Sequence, residues 1–253
     1  MIKARIIPIL LLRNKRMVKG TEFSQYRDVG DPVSVVRIYN AQNVDELVFL
    51  DIDATAEGRL ADVSVIKEAS KEAFLPMTIG GGVRTVSDVE KLLKAGADKV
   101  ALNTMATENL SVVQEAAEVF GKQCIIVSID VRQDSYGKYI VYSQSGKKNT
   151  GVELDEYLKK VCDASAGEVL INSIDRDGKM IGYDHSLIQL CQQQTNLPVI
   201  IAGGSGSLEQ LYHAIKETNV SGVGCGSVFY FADNNPIRAR SYFKQKGLPV
   251  RKV

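Results

Sequence analysis

The feature that most constrains this chain is the alternation of short β-branched segments with longer amphipathic segments along its whole length. The segments that predict strands are 5–12, 46–52, 76–80, 99–103, 123–130, 168–173, 198–202 and 222–226. Between them, stretches such as 87–95 and 208–215 carry apolar residues at helical spacing. Such strand–helix units in 253 residues predict an α/β fold, the (β/α)8 TIM barrel. No Pro/Ser-rich linker interrupts the run, so we expect a single domain over residues 1–253.

The two halves of the chain resemble each other, which predicts a two-fold repeat of half-barrels. The matching segments are 79–82 with 201–204, 99–104 with 222–227, 46–51 with 168–173, and 8–13 with 127–132. Each half therefore has one glycine turn and one strand that ends in small residues. The same alignment places Leu11 opposite Asp130.

Composition excludes several classes of partner. With 31 Lys+Arg against 30 Asp+Glu, no basic excess is available for nucleic acid or an anionic membrane. The first residues are apolar only as far as Arg13, too short for a membrane span and without a small-residue cleavage site, so we expect a cytoplasmic protein. The four cysteines have no metal-ligand spacing, and the two histidines fall in predicted helices. We therefore expect no metal, no cofactor and no disulfide framework.

The informative residues of a (β/α)8 barrel are those that end its strands, because active sites lie at the carboxyl ends. A Gly-Gly turn lets backbone N–H groups approach an anion closely. The two predicted phosphate cradles consist of Gly82, Asn103 and Thr104, and of Gly204, Gly226 and Ser227. The alternative is that these glycines only form tight turns. Two cradles across one barrel mouth predict an elongated ligand with a phosphate at each end.

Several charged residues near strand ends have both a catalytic and an ordinary interpretation. Asp130 ends the fifth strand and is a candidate for proton transfer, or else a helix cap. Lys19 lies in the polar segment 13–31, which we expect to be a mobile lid; a lysine there is either functional or simply solvated. Carboxylates that orient hydroxyls or cap helices at other strand ends are Asp51, Asp53, Asp175 and Asp177.

Four charges begin strands at the opposite, amino-terminal face of the barrel: Arg5, Glu46, Lys99 and Glu168. Charged residues in such places are usually solvated ends or ties to helices. Two cations and two anions can also meet at the barrel axis and close its lower end.

Longer motifs distributed over the whole chain carry a resemblance to a known family. They are 5–7, Met17-Val18-Lys19-Gly20-Thr21, 45–51, 80–82, 96–100, 145–151 and Ser173-Ile174-Asp175-Arg176-Asp177-Gly178. The chain resembles the cyclase subunit of imidazole glycerol phosphate synthase, the HisF family. The resemblance implies a barrel that docks a separate glutaminase subunit, HisH-like, against its amino-terminal face. Ammonia then passes a charged gate and the barrel core, and reacts with a ribulosyl-formimino nucleotide that carries two phosphates.

The resemblance also assigns roles to individual residues. The gate is implied to be Arg5, Glu46, Lys99 and Glu168. The phosphate cradles gain Asp177 and Gly178, Lys19 matches the family's loop lysine, and Asp130 matches one of two catalytic aspartates. Asp98 matches a position on the glutaminase docking surface.

The first strand departs from the family pattern, because Leu11 stands where the other catalytic aspartate is expected. Leucine cannot transfer a proton, and general acid–base catalysis contributes about 10²–10⁴ in rate. Asn172 and Ala202 replace residues that are usually small hydroxyl side chains in the family. These changes predict a crippled cyclisation or a different ligand.

Three functions remain open. The leading one is a HisF-like subunit that channels ammonia to a downstream amidotransferase acting on a cell-surface sugar of the lipopolysaccharide type. The alternative is a working histidine-pathway cyclase that uses Asp130 and a relocated acid such as Asp51 or Asp53. The third is a non-catalytic scaffold or activator of the glutaminase.

Overall fold

The computed structural model describes residues 5–249 and contains a closed barrel of parallel strands with helices between them. The barrel strands are β1 (Arg5–Arg13), β4 (Leu47–Asp51), β5 (Met77–Gly80), β6 (Lys99–Leu102), β7 (Ile125–Gln133), β10 (Glu168–Ser173), β11 (Val199–Ala202) and β12 (Gly222–Cys225). They pair in this order, and β12 pairs with β1 to close the ring. All eight predicted strands are confirmed, with bounds that differ by at most three residues.

The helices cover the outside of the barrel. They are α1 (Pro32–Ala41), α2 (Val63–Glu72), α3 (Val86–Lys94), α4 (Thr104–Glu108), α5 (Ser111–Phe120), α6 (Leu154–Asp163), α7 (His185–Gln194), α8 (Leu208–Glu217) and α9 (Pro236–Gln245). Side-chain caps define where several of them begin; Asp62 accepts hydrogen bonds at the start of α2, and Ser207 forms a capping box at the start of α8. Among residues 5–249, no helix is both long and apolar enough to cross a membrane.

Two antiparallel hairpins extend the barrel at its carboxyl end. One consists of β2 (Arg16–Thr21) and β3 (Ser24–Gly30), and the other of β8 (Tyr139–Ser143) and β9 (Lys148–Glu153). The segment 13–31, for which the sequence predicted a mobile lid and no strands, forms a hairpin on β1. Its outer strand β3 is largely exposed and polar, so it lacks the alternation by which a half-buried strand is recognised.

Two layers of apolar side chains stabilise the barrel. The larger lies between strands and helices, and the smaller fills the barrel interior. The interior residues are Ile7, Ile9, Val48, Ala101, Ile126, Leu170, Ile200 and Ala202, with Leu11 and Leu50 packed on them. This interior lies between the two ends at which the predicted functional residues cluster.

Candidate active site

A cavity opens at the carboxyl ends of the strands. Its lining includes seven of the predicted site residues: Lys19, Gly82, Asn103, Thr104, Asp130, Asp177 and Gly226. Residues far apart in the chain thus converge here because parallel strands in a barrel all end at the same face.

Asp130 lies on β7 and is buried. Its Oδ2 accepts a hydrogen bond of 3.1 Å from the side-chain amide of Asn103. Burial, and next the negative charge of Asp177, raise the pKa of Asp130 to about 7, although the Asn103 amide opposes the shift. A carboxyl group with such a pKa both gives and takes a proton near neutral pH, which suits general acid–base chemistry.

Leu11 faces the same cavity and is the register partner of Leu50 on β4. The position that the family resemblance assigns to a second catalytic carboxylate is thus part of an apolar wall. No other carboxylate replaces it at this place among the described cavity residues.

The relocated acids considered from the sequence are both engaged elsewhere. Asp51 lines the cavity, but its Oδ2 lies 2.5 Å from Nη1 of Arg59 and also accepts the backbone N–H of Asp62. The carboxylate of Asp53 lies 3.4 Å from Nε of Arg13 and does not line the cavity. The guanidinium groups of Arg59 and Arg13 thus occupy these two carboxylates. The sequence did not predict a role for Arg59, because no motif around it indicates that it pairs with Asp51.

Lys19 and Asp177 form a second charged group in the cavity. Lys19 is buried on β2, and its amine donates a hydrogen bond to the carbonyl oxygen of Ile9. Burial lowers the pKa of Lys19 to about 8, against the opposing influence of Asp177. Burial likewise raises the pKa of Asp177, and Lys19 opposes this shift. Asp177 is a further carboxyl group that lines the cavity, and it has no arginine partner among residues 5–249.

The first predicted cradle lines the cavity completely, with Gly82, Asn103 and Thr104. Gly82 has φ of +64° and Gly81 has φ of +124°, so both need the conformational freedom of glycine. A Cβ on Gly82 would also collide with the carbonyl oxygen of Arg59. The backbone geometry alone therefore accounts for both glycines as parts of a tight turn. This does not exclude an anion at the same turn.

The second cradle is only partly in the cavity. Gly226 lines it, and the amine of Lys19 lies 3.0 Å from the place where a Cβ on Gly226 would stand. Gly204 and Ser227 lie behind the lining rather than in it, since Gly204 packs on the backbone of Gly182 and Ser227 is buried in a 3-10 turn. Gly178 also does not line the cavity; it packs against the tip of the β2–β3 hairpin.

At the opposite end of the barrel the four predicted charges form one ring. Lys99 Nζ lies 3.0 Å from Glu46 and 3.2 Å from Glu168. Arg5 lies 2.7 Å from Glu46 and forms a close ion pair with Glu168. Burial alone would raise the pKa of Glu168, but Arg5 and then Lys99 outweigh it and hold that pKa below its usual value. Each anion thus contacts both cations.

Two hydroxyl groups that sequence reasoning missed complete the ring. Thr78 Oγ1 donates a hydrogen bond of 2.6 Å to Glu46, and Ser221 Oγ donates one of 3.0 Å to Glu168. Ser221 also accepts a hydrogen bond from Arg5. The sequence could have indicated these two residues only through their places near the amino-terminal ends of barrel strands. Those places become informative only when the register of the barrel is known.

The remaining predicted residues lie outside both ends of the interior. Asp98 is exposed beside Lys99 on the ring face, and its Oδ2 accepts the backbone N–H of Met77. His185 and His213 are partly exposed on helices, as predicted. All four cysteines are free thiols. Within residues 5–249, no group of three or more His, Cys, Asp or Glu is placed to hold a metal ion.

Comparison with known proteins gives similarity over the whole chain. The family model described as "Histidine biosynthesis protein" matches residues 5–235. The imidazole glycerol phosphate synthase subunit HisF of Dehalococcoides mccartyi strain BAV1 is 43% identical over 251 residues, which cover 99% of this chain and 99% of the relative. The protein of the same name from Caulobacter vibrioides strain NA1000 is 44% identical over 253 residues, covering 99% of this chain and 97% of the relative.

Proposed function

The chain belongs to the histidine biosynthesis protein family, as a HisF-type subunit, and on that basis we propose that it receives ammonia from a separate HisH-like glutaminase and uses it at the barrel mouth. The observation that carries this proposal is the alignment of three parts: the ring of Arg5, Glu46, Lys99 and Glu168, the apolar interior, and the cavity around Asp130. Exposed Asp98 beside the ring supports docking of the partner at that face.

The proposed substrate carries a phosphate at each end. Gly82, Asn103 and Thr104 supply one cradle. At the other, the ammonium group of Lys19 next to Gly226 offers a positive charge to a phosphate, with Asp177 alongside; Gly178, Gly204 and Ser227 shape the backbone around it. Charge-assisted hydrogen bonds of this kind contribute roughly 1.5–3 kcal/mol each. No metal or cofactor is part of the proposal.

The relatives' names favour the formation of imidazole glycerol phosphate as the reaction. The expected role in cell-surface sugar amidation finds no support in those names, nor does a downstream sugar amidotransferase as partner. We therefore take the cyclase interpretation first, in which ammonia reacts with the ribulosyl-formimino nucleotide. In this interpretation Asp130 transfers the protons. A cytoplasmic location is also part of the proposal. Because Asp51 and Asp53 are paired with arginines, Asp177 is the remaining carboxyl group facing the cavity.

One observation favours a second candidate function, in which the channelled ammonia goes to another acceptor. Leu11 removes one of the two carboxylates that the ring closure is expected to need. A simple amination needs fewer proton transfers than a cyclisation, so one carboxyl group suffices for it.

The decisive test supplies the purified chain with an ammonium salt and the ribulosyl-formimino nucleotide, and measures imidazole glycerol phosphate. The Caulobacter relative serves as positive control, and Asp130→Asn as the inactive control. Turnover clearly above that of Asp130→Asn supports the cyclase, at a rate about 10²–10⁴-fold below the relative because Leu11 replaces one carboxylate. Absent turnover contradicts the cyclase and favours the second candidate, provided that glutamine-derived ammonia still crosses the barrel. If Lys99→Ala leaves glutamine-driven chemistry unchanged, the ammonia route itself is wrong and the scaffold interpretation replaces it.

A further inference from the structure

The barrel mouth differs between the two halves of the repeat. In the first half, Leu11 on β1 is the register partner of Leu50 on β4. At the corresponding place in the second half, Asp130 on β7 is the register partner of Asn172 on β10. All four side chains line the cavity. One half therefore presents an apolar pair, and the other half presents a polar pair.

The side-chain amide of Asn172 has an oxygen that the fold does not use. This Oδ1 atom is buried and has no hydrogen-bond partner among the described residues. Buried acceptors are nearly always paired, and an unpaired one destabilises a protein. The Asp130 carboxylate beside it receives the Asn103 amide on one oxygen only. The polar pair thus retains acceptor capacity within the wall of the cavity.

In the layer below the polar pair, one of the two residues offers a hydroxyl group to a polar guest and the other is apolar. Directly beneath Asn172 and Asp130, the register partners are Leu170 and Ser128. Further down, the interior consists of side chains such as Ile7, Val48 and Ile126, above the charged ring. A neutral ammonia molecule that leaves this interior carries N–H donors that need acceptors. The unpaired Asn172 oxygen lies at the level where the interior becomes polar.

We propose that Asn172 and Asp130 form the ammonia-receiving subsite of the mouth. Asn172 Oδ1 accepts an N–H of ammonia, and the free oxygen of the Asp130 carboxylate accepts another. The Leu11–Leu50 pair offers no acceptor, so the nitrogen is held on one side of the cavity and the substrate lies against the other. The inference rests on the proposed function in one respect, namely that ammonia reaches the mouth through the barrel.

A binding experiment with ammonia alone tests the subsite without any turnover. The side-chain amide signals of Asn172, assigned with Asn172→Leu, are followed by NMR while ammonium chloride is added at alkaline pH, against potassium chloride of equal ionic strength. We expect a saturable shift that ammonium alone produces and that weakens in Asp130→Asn. Exposed Asn149 is the internal reference. A shift equal in the two salts, or equal at Asn149, overturns the proposal.

Kinetics supply the second measurement. Loss of one hydrogen bond to ammonia should raise the KM for ammonium about threefold to tenfold in Asn172→Leu, with the KM for the nucleotide unchanged. Asn172→Thr keeps an oxygen acceptor and should retain most of the ammonium affinity. The matched control is Gln189→Leu, which removes an exposed amide on α7. Equal rises in both KM values indicate a structural role and contradict the subsite. If the chain turns over no nucleotide, the cyclase proposal fails, and the NMR titration still decides on the subsite.

Discussion

At the scale of single residues, Leu11 decides how much of the cyclisation this mouth can catalyse. Its side chain lines the cavity at the place equivalent to Asp130 in the other half of the repeat. Leu11→Asp should therefore raise the ammonium-driven formation of imidazole glycerol phosphate by about 10²–10⁴-fold. The rate at saturating ammonium is the measurement, with an unfolding curve to show that the variant is folded.

The matched control is Leu50→Asp, which places a carboxyl group in the same cavity one strand away. It should give no comparable gain. A Leu11→Asp rate that stays at the wild-type level, or equal gains in both variants, contradicts the assignment of position 11.

Asp130 makes a prediction about stability. Its pKa is raised to about 7 in the folded chain, whereas an unfolded chain releases this proton near pH 4. The stability that the bound proton contributes is therefore complete below pH ~4 and is lost as the pH rises to about 7. Asp130→Asn has no such proton, so it should gain stability relative to the wild type between pH 5 and pH 8, on the order of 2 kcal/mol.

Denaturant unfolding of both proteins at the two pH values measures this difference. A difference that does not depend on pH, or that favours the wild type at alkaline pH, shows that Asp130 does not have a raised pKa. The expected direction follows from burial and from Asp177, the two causes of the shift.

At the scale of elements, the β2–β3 hairpin is held over the mouth by its tip. The backbone N–H of Glu22 donates to the carbonyl oxygen of Asp177, and Lys179 forms an ion pair of 2.7 Å with Glu22. Gly178 allows this close approach, since a Cβ there would lie 2.8 Å from the Cα of Thr21. The hairpin carries Lys19 into the cavity, so its docking and the position of Lys19 are coupled.

Gly178→Ala should loosen the hairpin, and Gly137→Ala is its matched control. The two glycines have similar φ values of +73° and +83°, but a Cβ on Gly137 meets nothing closer than 3.7 Å. Both variants lose about 1 kcal/mol through backbone strain, and only Gly178→Ala adds roughly 1–3 kcal/mol from the collision. Limited proteolysis at exposed Arg27 and unfolding curves measure the two effects. Equal behaviour of the variants contradicts the proposed docking.

The elements also show what the sequence can and cannot predict. A buried parallel strand such as β11 is a continuous apolar run, so its position is evident from the sequence. The exposed strands β3 and β9 have no such pattern, and the hairpins were missed. Residues at strand ends, such as Asp130, follow from the barrel rule. The partners Thr78, Ser221 and Arg59 could not be found, because they depend on which residues the register brings together.

At the scale of the whole molecule, the two ends of the barrel carry different groups. The ring carries two positive and two negative side chains with buried carboxylates, and the mouth carries the cavity. The apolar interior lies between them, and on the proposed function it lets a neutral molecule pass while excluding ions. We therefore expect the charged ring at the entrance to control the loss of ammonia to solvent, and not the rate of the reaction at the mouth.

Lys99→Ala tests this separation of tasks. It leaves Glu46 and Glu168 with Arg5 alone, so the ring becomes negatively charged and no longer closes. We expect the ammonium-driven rate to stay unchanged and the glutamine consumed per product to rise severalfold. Lys94→Ala, which removes an exposed lysine paired with Glu90, should change neither quantity. A parallel fall of both rates in Lys99→Ala places the lysine in the chemistry and contradicts the gate.

The most direct measurement of the central claim follows the nitrogen atom itself. The complex of this chain with the proposed glutaminase partner receives glutamine with an isotopically labelled amide nitrogen, in a solution that contains excess unlabelled ammonium. If ammonia travels from the ring through the interior to Asp130, the product carries the label of the glutamine. A product whose label matches the bulk ammonium shows that the nitrogen enters from solvent, and contradicts the account.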